Sequence, residues 1–407
     1  MLRLLYVAAT PDYVLVHDAK DYDRHARSIA MGDGYADSVR PGRHTAFRPP
    51  AYPVLLAGVY QLTGVEDAPE KERMVPARIV QALIGTLIVG LIGVVAAQLW
   101  GRRRSLIAMG LAAIYLPLIL VGGSVMSEPL FAALMLGALA AALAHRSSDH
   151  RWRWALLAGL LAGLTILTRA NAGVLLLPLA VAVWDVRPRL SLRSLAVPVA
   201  LVIVAIAAVS PWTIRNANVF HAFIPVSTQA GSALAGTYND QAAHDRENPA
   251  SWRALFHIPE YQAIHNRRGE IPEPELEQIL RKRALRYARE HPGYVAKVAY
   301  WSTRRMLDIE SMKWSKHTAS TISVSANWAV AGVVCFWFFA LLALAGAFTR
   351  AARRTPWFVW AMPLLLYLGV VFIVIETPRY RTGIDPFIVM LAALAIASLW
   401  ERRQRAD

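Results

Sequence analysis

Apolar residues in this chain are gathered into long uncharged runs separated by short clusters rich in arginine. The runs cover residues 79–101, 105–127, 129–144, 154–168, 170–184, 194–214, 318–349 and 355–375. A last run, 382–400, contains one charged residue, Asp385. A soluble helix or strand would instead show its apolar positions as a periodic stripe. Crossing roughly 30 Å of hydrocarbon takes about 20 mainly apolar helical residues, so the pattern predicts an all-α, polytopic membrane protein. Several runs are too short alone. Adjoining residues complete them, with polar heads in the interface, to give about nine to ten transmembrane helices.

The stretch 154–184 is divided by Arg169. A single long helix would bury this arginine near mid-membrane, at a cost of at least about 3 kcal/mol. Two short helices with Arg169 at their turn avoid that cost and return both flanks to one side. Those flanks, 145–153 and 185–193, are basic, as cytoplasmic loops are. Carrying the parity along the chain puts 102–104, 145–153, 187–193, 350–354 and 402–405 inside. It puts 12–73, Glu128, Arg169, 215–317 and 376–381 outside. Long translocated segments escape the charge rule, so the cations within 281–289 and 304–316 do not overturn this map. The parity also asks for an inside-to-outside helix just before Asp12. Residues 1–9 look like the last part of one, which points to a helix upstream of the chain.

The outer segments have patterns of their own. Residues 19–31 and 51–62 read as short helices, the second following Pro49-Pro50, and 272–309 mixes Leu276, Ile279, Leu280, Leu285 and Tyr287 with charge. Such helices lie in the interface or pack on the membrane domain. Four regions result: 1–74, a partial first span and first outer loop; 75–214, the helical membrane core; 215–317, a second outer loop with amphipathic helices; and 318–407, the C-terminal spans.

The formal net charge of +15 does not indicate nucleic acid, because the arginines punctuate apolar runs instead of forming one patch. Cys335 is the only cysteine, which excludes an internal disulfide or a cysteine metal cluster. His17 and His44 are too isolated to read as ligands, so neither metal nor cofactor is expected. The abundant Ala, Val and Arg fit a high-GC bacterium and thus its plasma membrane, with an extracytoplasmic site and a cytoplasmic C-terminus.

The polar residues hardest to explain by packing all fall on the predicted outer side. Asp18 and Asp21 are three apart and share a helix face, with Tyr22 beside them. Arg40, Arg43, His44, Arg48, Pro49, Pro50, Tyr52 and Pro53 form a basic, rigid, aromatic segment. Glu128 opens a span, Arg169 tops the hairpin, Trp212, Arg215 and Asn216 close a span, and Glu376, Arg379, Tyr380 and Arg381 join the final two. Taken singly, Glu128 and Arg215 read as ordinary headgroup residues, Asp21 as a helix cap, and Asp385 as an interfacial residue or an arginine's partner. Taken together, they suit an anionic lipid-linked substrate. Arginine's donor fork matches phosphate oxygens, and a carboxylate within hydrogen-bond reach can orient or deprotonate an acceptor. A flippase or transporter of a lipid-linked sugar is the alternative, although no internal repeat suggests inverted halves.

At these residues the chain resembles the integral-membrane glycosyltransferases of the GT-C superfamily. It is particularly similar to the bacterial family 39 group related to protein O-mannosyltransferases and the aminoarabinose transferase of lipid A. The matching pieces run from His17-Asp18-Ala19-Lys20-Asp21-Tyr22 and Gly32-Asp33-Gly34-Tyr35 through Arg48-Pro49-Pro50-Ala51-Tyr52-Pro53 to Pro76-Ala77-Arg78 with Gly85. They continue with Ser127-Glu128-Pro129-Leu130-Phe131, Leu167-Thr168-Arg169, Pro211-Trp212-Thr213-Ile214-Arg215-Asn216, His291-Pro292 and Pro378-Arg379-Tyr380-Arg381. The resemblance implies a polyprenyl-phosphate-linked sugar donor, inversion at the anomeric carbon, and a lipid, glycan or protein acceptor. It makes Asp18 the acceptor-activating carboxylate, with Asp21 assisting and Glu128 facing the same cavity. Arg48, Tyr52, Arg169 and Arg215 would line the substrate cavity, and Arg379, Tyr380 and Arg381 would hold the phosphate. Ala19 stands where the family usually has a second adjacent acid, which argues against a metal requirement.

Overall fold

The computed structural model describes residues 1–37, 42–184, 192–372 and 377–406. Arg40, Glu376 and most of the predicted inner loop 187–193 lie outside the described residues. Those described are almost entirely helical, with a lone antiparallel bridge, Ala36 to His44, in place of any strand.

The chain starts with α1 (Leu2–Ala8), then places α2 (His17–Ala30) and α3 (Ala51–Thr63) in the loop predicted as the first outer one. The membrane core follows: α4 (Glu70–Trp100), α5 (Arg102–Ile114), α6 (Leu116–Gly122), α7 (Glu128–Ser147), α8 (Arg151–Thr168), α9 (Leu176–Val183) and α10 (Ala196–Phe220). The loop predicted as the second outer one carries α11 (Gln229–Thr237), α12 (Asp240–His244), α13 (Pro259–Asn266), α14 (Glu273–Glu290), α15 (Pro292–Met306) and α16 (Met312–Ser320). The chain closes with α17 (Ala326–Ala347), α18 (Arg350–Arg354), α19 (Trp357–Val371) and α20 (Asp385–Ala406).

By length and composition, α4, α7, α10 and α17 can each cross a membrane. The pair α5–α6 makes a fifth candidate, bent by 57° at Tyr115, just before Pro117. The run expected as one span at 105–127 is therefore broken. Proline lacks the N–H that would continue the ladder, and its ring crowds the carbonyl four residues back. The other apolar runs form helices that are shorter, or that start on the charged residues Arg151 and Asp385.

Arg169 does divide 154–184. It is extended (φ −150°, ψ 118°) between α8 and a 3-10 turn over Ala170–Leu175 that leads into α9. Proline again punctuates the long amphipathic stretch of the second outer loop, where Pro292 separates α14 from α15.

The main core forms where α4, α5, α7, α8 and α10 meet α19 and α20. Small residues let these backbones approach closely. At Gly159 and Gly163 of α8, an added Cβ would run into the backbone of Leu201 and Ala205 on α10. A second core gathers α2 and α3 over α6, around Tyr22, Tyr52 and Tyr60. It seats the first outer loop directly on the membrane domain.

Candidate active site

Two buried polar anchors fix α2. Asp23 accepts from Arg73 Nε at 2.9 Å and Nη2 at 2.6 Å, and from the Tyr60 hydroxyl at 2.9 Å. The paired fork geometry makes this a directional tie between α2, α3 and α4. His25 is buried and stacks on Tyr35 with ring centroids 4.9 Å apart. Its Nδ1 donates to the Ala36 carbonyl at 2.7 Å, and burial lowers its pKa, favouring the neutral ring.

The same helix, α2, also carries Asp18, Asp21 and Tyr22. Arg48 Nη2 donates to Asp18 Oδ1 at 2.6 Å and to Asp21 Oδ2 at 2.8 Å. The Arg48 guanidinium is itself held over the rings of Phe47 and Tyr22, at 5.1 and 5.5 Å. The second oxygen of Asp18 accepts from Arg379 Nη2, contributed from the far end of the chain. Burial works to raise the Asp18 pKa, but the guanidinium groups of Arg48 and Arg379 outweigh it and hold the carboxyl well below the usual carboxylate range.

Glu128 extends this network. It is the first residue of α7 and is buried, where the helix dipole favours a carboxylate. Arg169, at the tip between α8 and α9, pairs with its Oε1 at 2.9 Å, and Arg379 Nε lies 3.7 Å from the same oxygen. The Tyr380 ring faces both cations, 4.6 Å from Arg169 and 5.0 Å from Arg379. The Tyr22 hydroxyl meets Ser127 Oγ at 3.0 Å, linking α2 to the start of α7. Three carboxylates thus interleave with three guanidinium groups, drawn from five separated chain segments.

Tyr52 packs edge-on against Tyr22 at 5.0 Å and is fully buried. Its hydroxyl, Arg48 Nε, Arg379 Nε and the Thr377 hydroxyl are buried with no hydrogen-bond partner among the described residues. Thr377 and Arg379 also line a cavity whose opposite walls are apolar, with Leu120 and Val121 from α6 and Ala329 and Val333 from α17.

Two residues expected in the site turn elsewhere. Arg215 donates to the backbone carbonyls of Thr45 at 2.8 Å and Tyr35 at 3.2 Å, bracing the first outer loop. Arg381 pairs with Asp385 at 2.9 Å and Asp308 at 3.2 Å, and its guanidinium lies over the Phe336 ring. It borders the same cavity as Arg379 but does not join the Asp18 network.

Several residues of the site's frame were not singled out from the sequence. They are Asp23, Arg73, Asp308 and Glu273, the last of which accepts from the Thr45 hydroxyl at 2.7 Å, Ala46 N at 2.9 Å and the Thr228 hydroxyl at 2.6 Å. Each is an acid or base in a charged outer segment, where sequence alone gives no sign of burial.

The sequence over residues 47–214 matches the family of dolichyl-phosphate-mannose-protein mannosyltransferases. No curated protein matches the chain. Among solved structures, the oligosaccharyltransferase AglB from Archaeoglobus fulgidus, in complex with an inhibitory peptide and a dolichol-phosphate, is similar with a TM-score of 0.56 at 14% identity. That alignment covers 100% of this chain and 51% of the other. The Archaeoglobus fulgidus oligosaccharyltransferase tethered with an acceptor peptide aligns over 98% of this chain and 50% of its own, with a TM-score of 0.57 at 14% identity. ArnT from Cupriavidus metallidurans bound to undecaprenyl phosphate aligns over 97% and 76%, with a TM-score of 0.44 at 18% identity. The chain spans about half the length of the oligosaccharyltransferase it matches, and at 14% identity that likeness is one of fold. The chain is a polytopic helical membrane protein whose fold resembles that of the archaeal oligosaccharyltransferase and whose residues 47–214 match the dolichyl-phosphate-mannose-protein mannosyltransferases.

Proposed function

We propose that the protein transfers a monosaccharide from a polyprenyl-phosphate donor to a hydroxyl- or amine-bearing lipid, glycan or protein acceptor at the extracytoplasmic face, with inversion at the anomeric carbon. The observation that carries this reading is the pairing of Asp18 with Arg48 and Arg379 beside a cavity with one apolar wall and one polar wall, on which Arg379 and Arg381 stand with Asp308 and Asp385. A polyprenyl-phosphate needs that combination: hydrocarbon contact for its chain and guanidinium donors for its phosphate. The Nε donors of Arg379 and Arg48 and the Thr377 hydroxyl, which make no hydrogen bond among the described residues, add to the argument. A buried donor left unpaired costs about 1–3 kcal/mol, and phosphate oxygens are acceptors that would satisfy it.

The mechanism follows from competition for Arg379. Doubly paired, Asp18 is too weak a base to deprotonate an acceptor. A donor phosphate that draws Arg379 toward itself leaves Asp18 with fewer cationic partners, and its proton affinity rises. The acceptor oxygen or nitrogen then attacks the anomeric carbon as its proton passes to Asp18. The bond between that carbon and the phosphate oxygen breaks, and the electron pair leaves with the phosphate. The phosphate gains the negative charge that Asp18 loses, so the net charge of the site is unchanged. Arg379 and Arg169 stabilise the charge as it develops on the leaving group. Asp21 and Glu128 hold Arg48 and Arg169 in place.

The test offers the purified full chain a panel of polyprenyl-phosphate sugars and candidate acceptors, with product detected by mass, beside Asp18→Asn. We expect transfer by the wild type and a loss of at least about 100-fold in the variant, in line with removal of a general base. An Asp18→Asn protein that elutes as a single folded species and still transfers at the wild-type rate would refute the assignment.

A further inference from the structure

A second concave site lies at the other end of the bundle. It is bordered by the C-terminal end of α7, the start of α8, the last turn of α9 and the start of α19, and encloses about 500 Å³. Glu128 and His145 stand at opposite ends of α7, so the site is about 26 Å from the Asp18 network along the helix axis.

The basic residues lining the site among the described residues are Arg146, Arg151 and His145. Arg146 is fixed: Nη1 donates to the Ala182 carbonyl at 3.0 Å, and the guanidinium faces the Phe358 ring at 5.7 Å. His145 is buried, and its Nδ1 donates to the Arg151 carbonyl at 2.8 Å, which ties α7 to the start of α8. Trp184 and Trp357 form aromatic walls, with the Trp184 indole donating to Ser194 Oγ at 3.2 Å.

Aromatic residues also locate this site relative to the bilayer. Trp100 ends α4, Trp152 and Trp154 lie in the first turn of α8, Trp184 follows α9, and Trp357 opens α19. Trp152 and Trp357 are more than half exposed. Tryptophan collects at headgroup depth, where the ring is apolar and the N–H is wet. A helix C-terminus favours a cation and an inner flank is basic, which accounts for the presence of Arg146 and Arg151. Neither accounts for their meeting with His145 in a concavity walled by tryptophans at that depth.

We propose that this concavity binds the phosphate headgroup of an anionic membrane phospholipid, with Arg146 and Arg151 as ligands of the phosphate and Trp184 and Trp357 against the glycerol and upper acyl chain. Basic pockets between helix ends recognise anionic headgroups through this combination of charge and enclosure. The site is separate from the Asp18 network and does not depend on the function proposed above.

Native mass spectrometry of the delipidated full chain tests the site, with phosphatidylglycerol, phosphatidylcholine and inorganic phosphate as probes. The wild type should retain phosphatidylglycerol and not phosphatidylcholine. Retention should fall about fivefold in Arg151→Gln and about thirtyfold in Arg146→Gln/Arg151→Gln, the loss expected for one and two basic side chains near an anionic headgroup. Arg153→Gln/Arg354→Gln removes the same charge outside the concavity and should change retention by less than about twofold. Because Arg151→Gln spares the Arg146 bond to Ala182, it keeps the test valid if the double variant folds poorly. Equal retention by wild type and Arg151→Gln, an equal loss in the control pair, or displacement of the lipid by millimolar inorganic phosphate would each overturn the proposal.

Discussion

Asp18 shares its two oxygens between Arg48 and Arg379, and this pairing has a consequence for pH dependence. The folded-state pKa lies below the ordinary value of about 3.9 for an unfolded aspartate. Its ionisation therefore contributes stability that is fully present above about pH 4 and lost as pH falls further. The unfolding midpoint of the ligand-free protein should show no Asp18-linked step between about pH 5 and 9, and Asp18→Asn should lack part of the wild type's decline below about pH 4. Unfolding midpoints of both proteins across that range check this, and a step near neutral pH confined to the wild type would contradict it. Glu128, Arg169 and Arg379 stand out in the sequence because charge at the ends of apolar runs is conspicuous, whereas Asp18 and Arg48 stand out through the first-loop motifs that carry the resemblance. Their pairing does not, since the partners come from opposite ends of the chain. Arg381 illustrates the limit: two residues from Arg379 in sequence, it turns instead to Asp308 and Asp385.

Arg381 also matters to the element that carries it. The 3-10 segment Pro378–Gly383 has no long helix of its own to hold it. Arg381 fastens it to Asp308 beyond α15, to the Met306 carbonyl and to Asp385 at the start of α20. Breaking such a buried cluster leaves unpaired charge and costs about 3–5 kcal/mol, so Arg381→Met should lower the unfolding midpoint markedly. Substituting an exposed arginine such as Arg353 should leave it within error. Comparing the two midpoints in one detergent tests the clamp, and equal midpoints would remove it. At this scale the apolar runs announced helices dependably, and Arg169 announced the break after α8. The bend between α5 and α6 is not legible in run length, because Pro117 breaks the helix without introducing charge. The gap between α16 and α17 was missed because 318–349 is uncharged throughout, so composition did not mark its boundary.

The whole molecule brings the first outer loop, the tips of the core helices and the penultimate connection together above the apolar bundle. If the cavity between α6, α17 and Arg379 accepts the donor's lipid chain, a donor with a much shorter isoprenoid should lose apolar contact at about 0.8 kcal/mol per buried CH₂. The expected result is a raised KM with kcat little changed, measured across a series of donor chain lengths. Chain-length independence would place the tail elsewhere. The sequence alone determined the helical, membrane-embedded class and the gathering of charge at helix ends, because both depend on local run length and on the cost of charge in hydrocarbon. Tertiary structure decided which charges meet. Burial and partner choice depend on contacts between segments hundreds of residues apart, so only the fold reveals that Asp18 faces Arg379, that Arg169 closes on Glu128, and that Arg215 and Arg381 serve the frame.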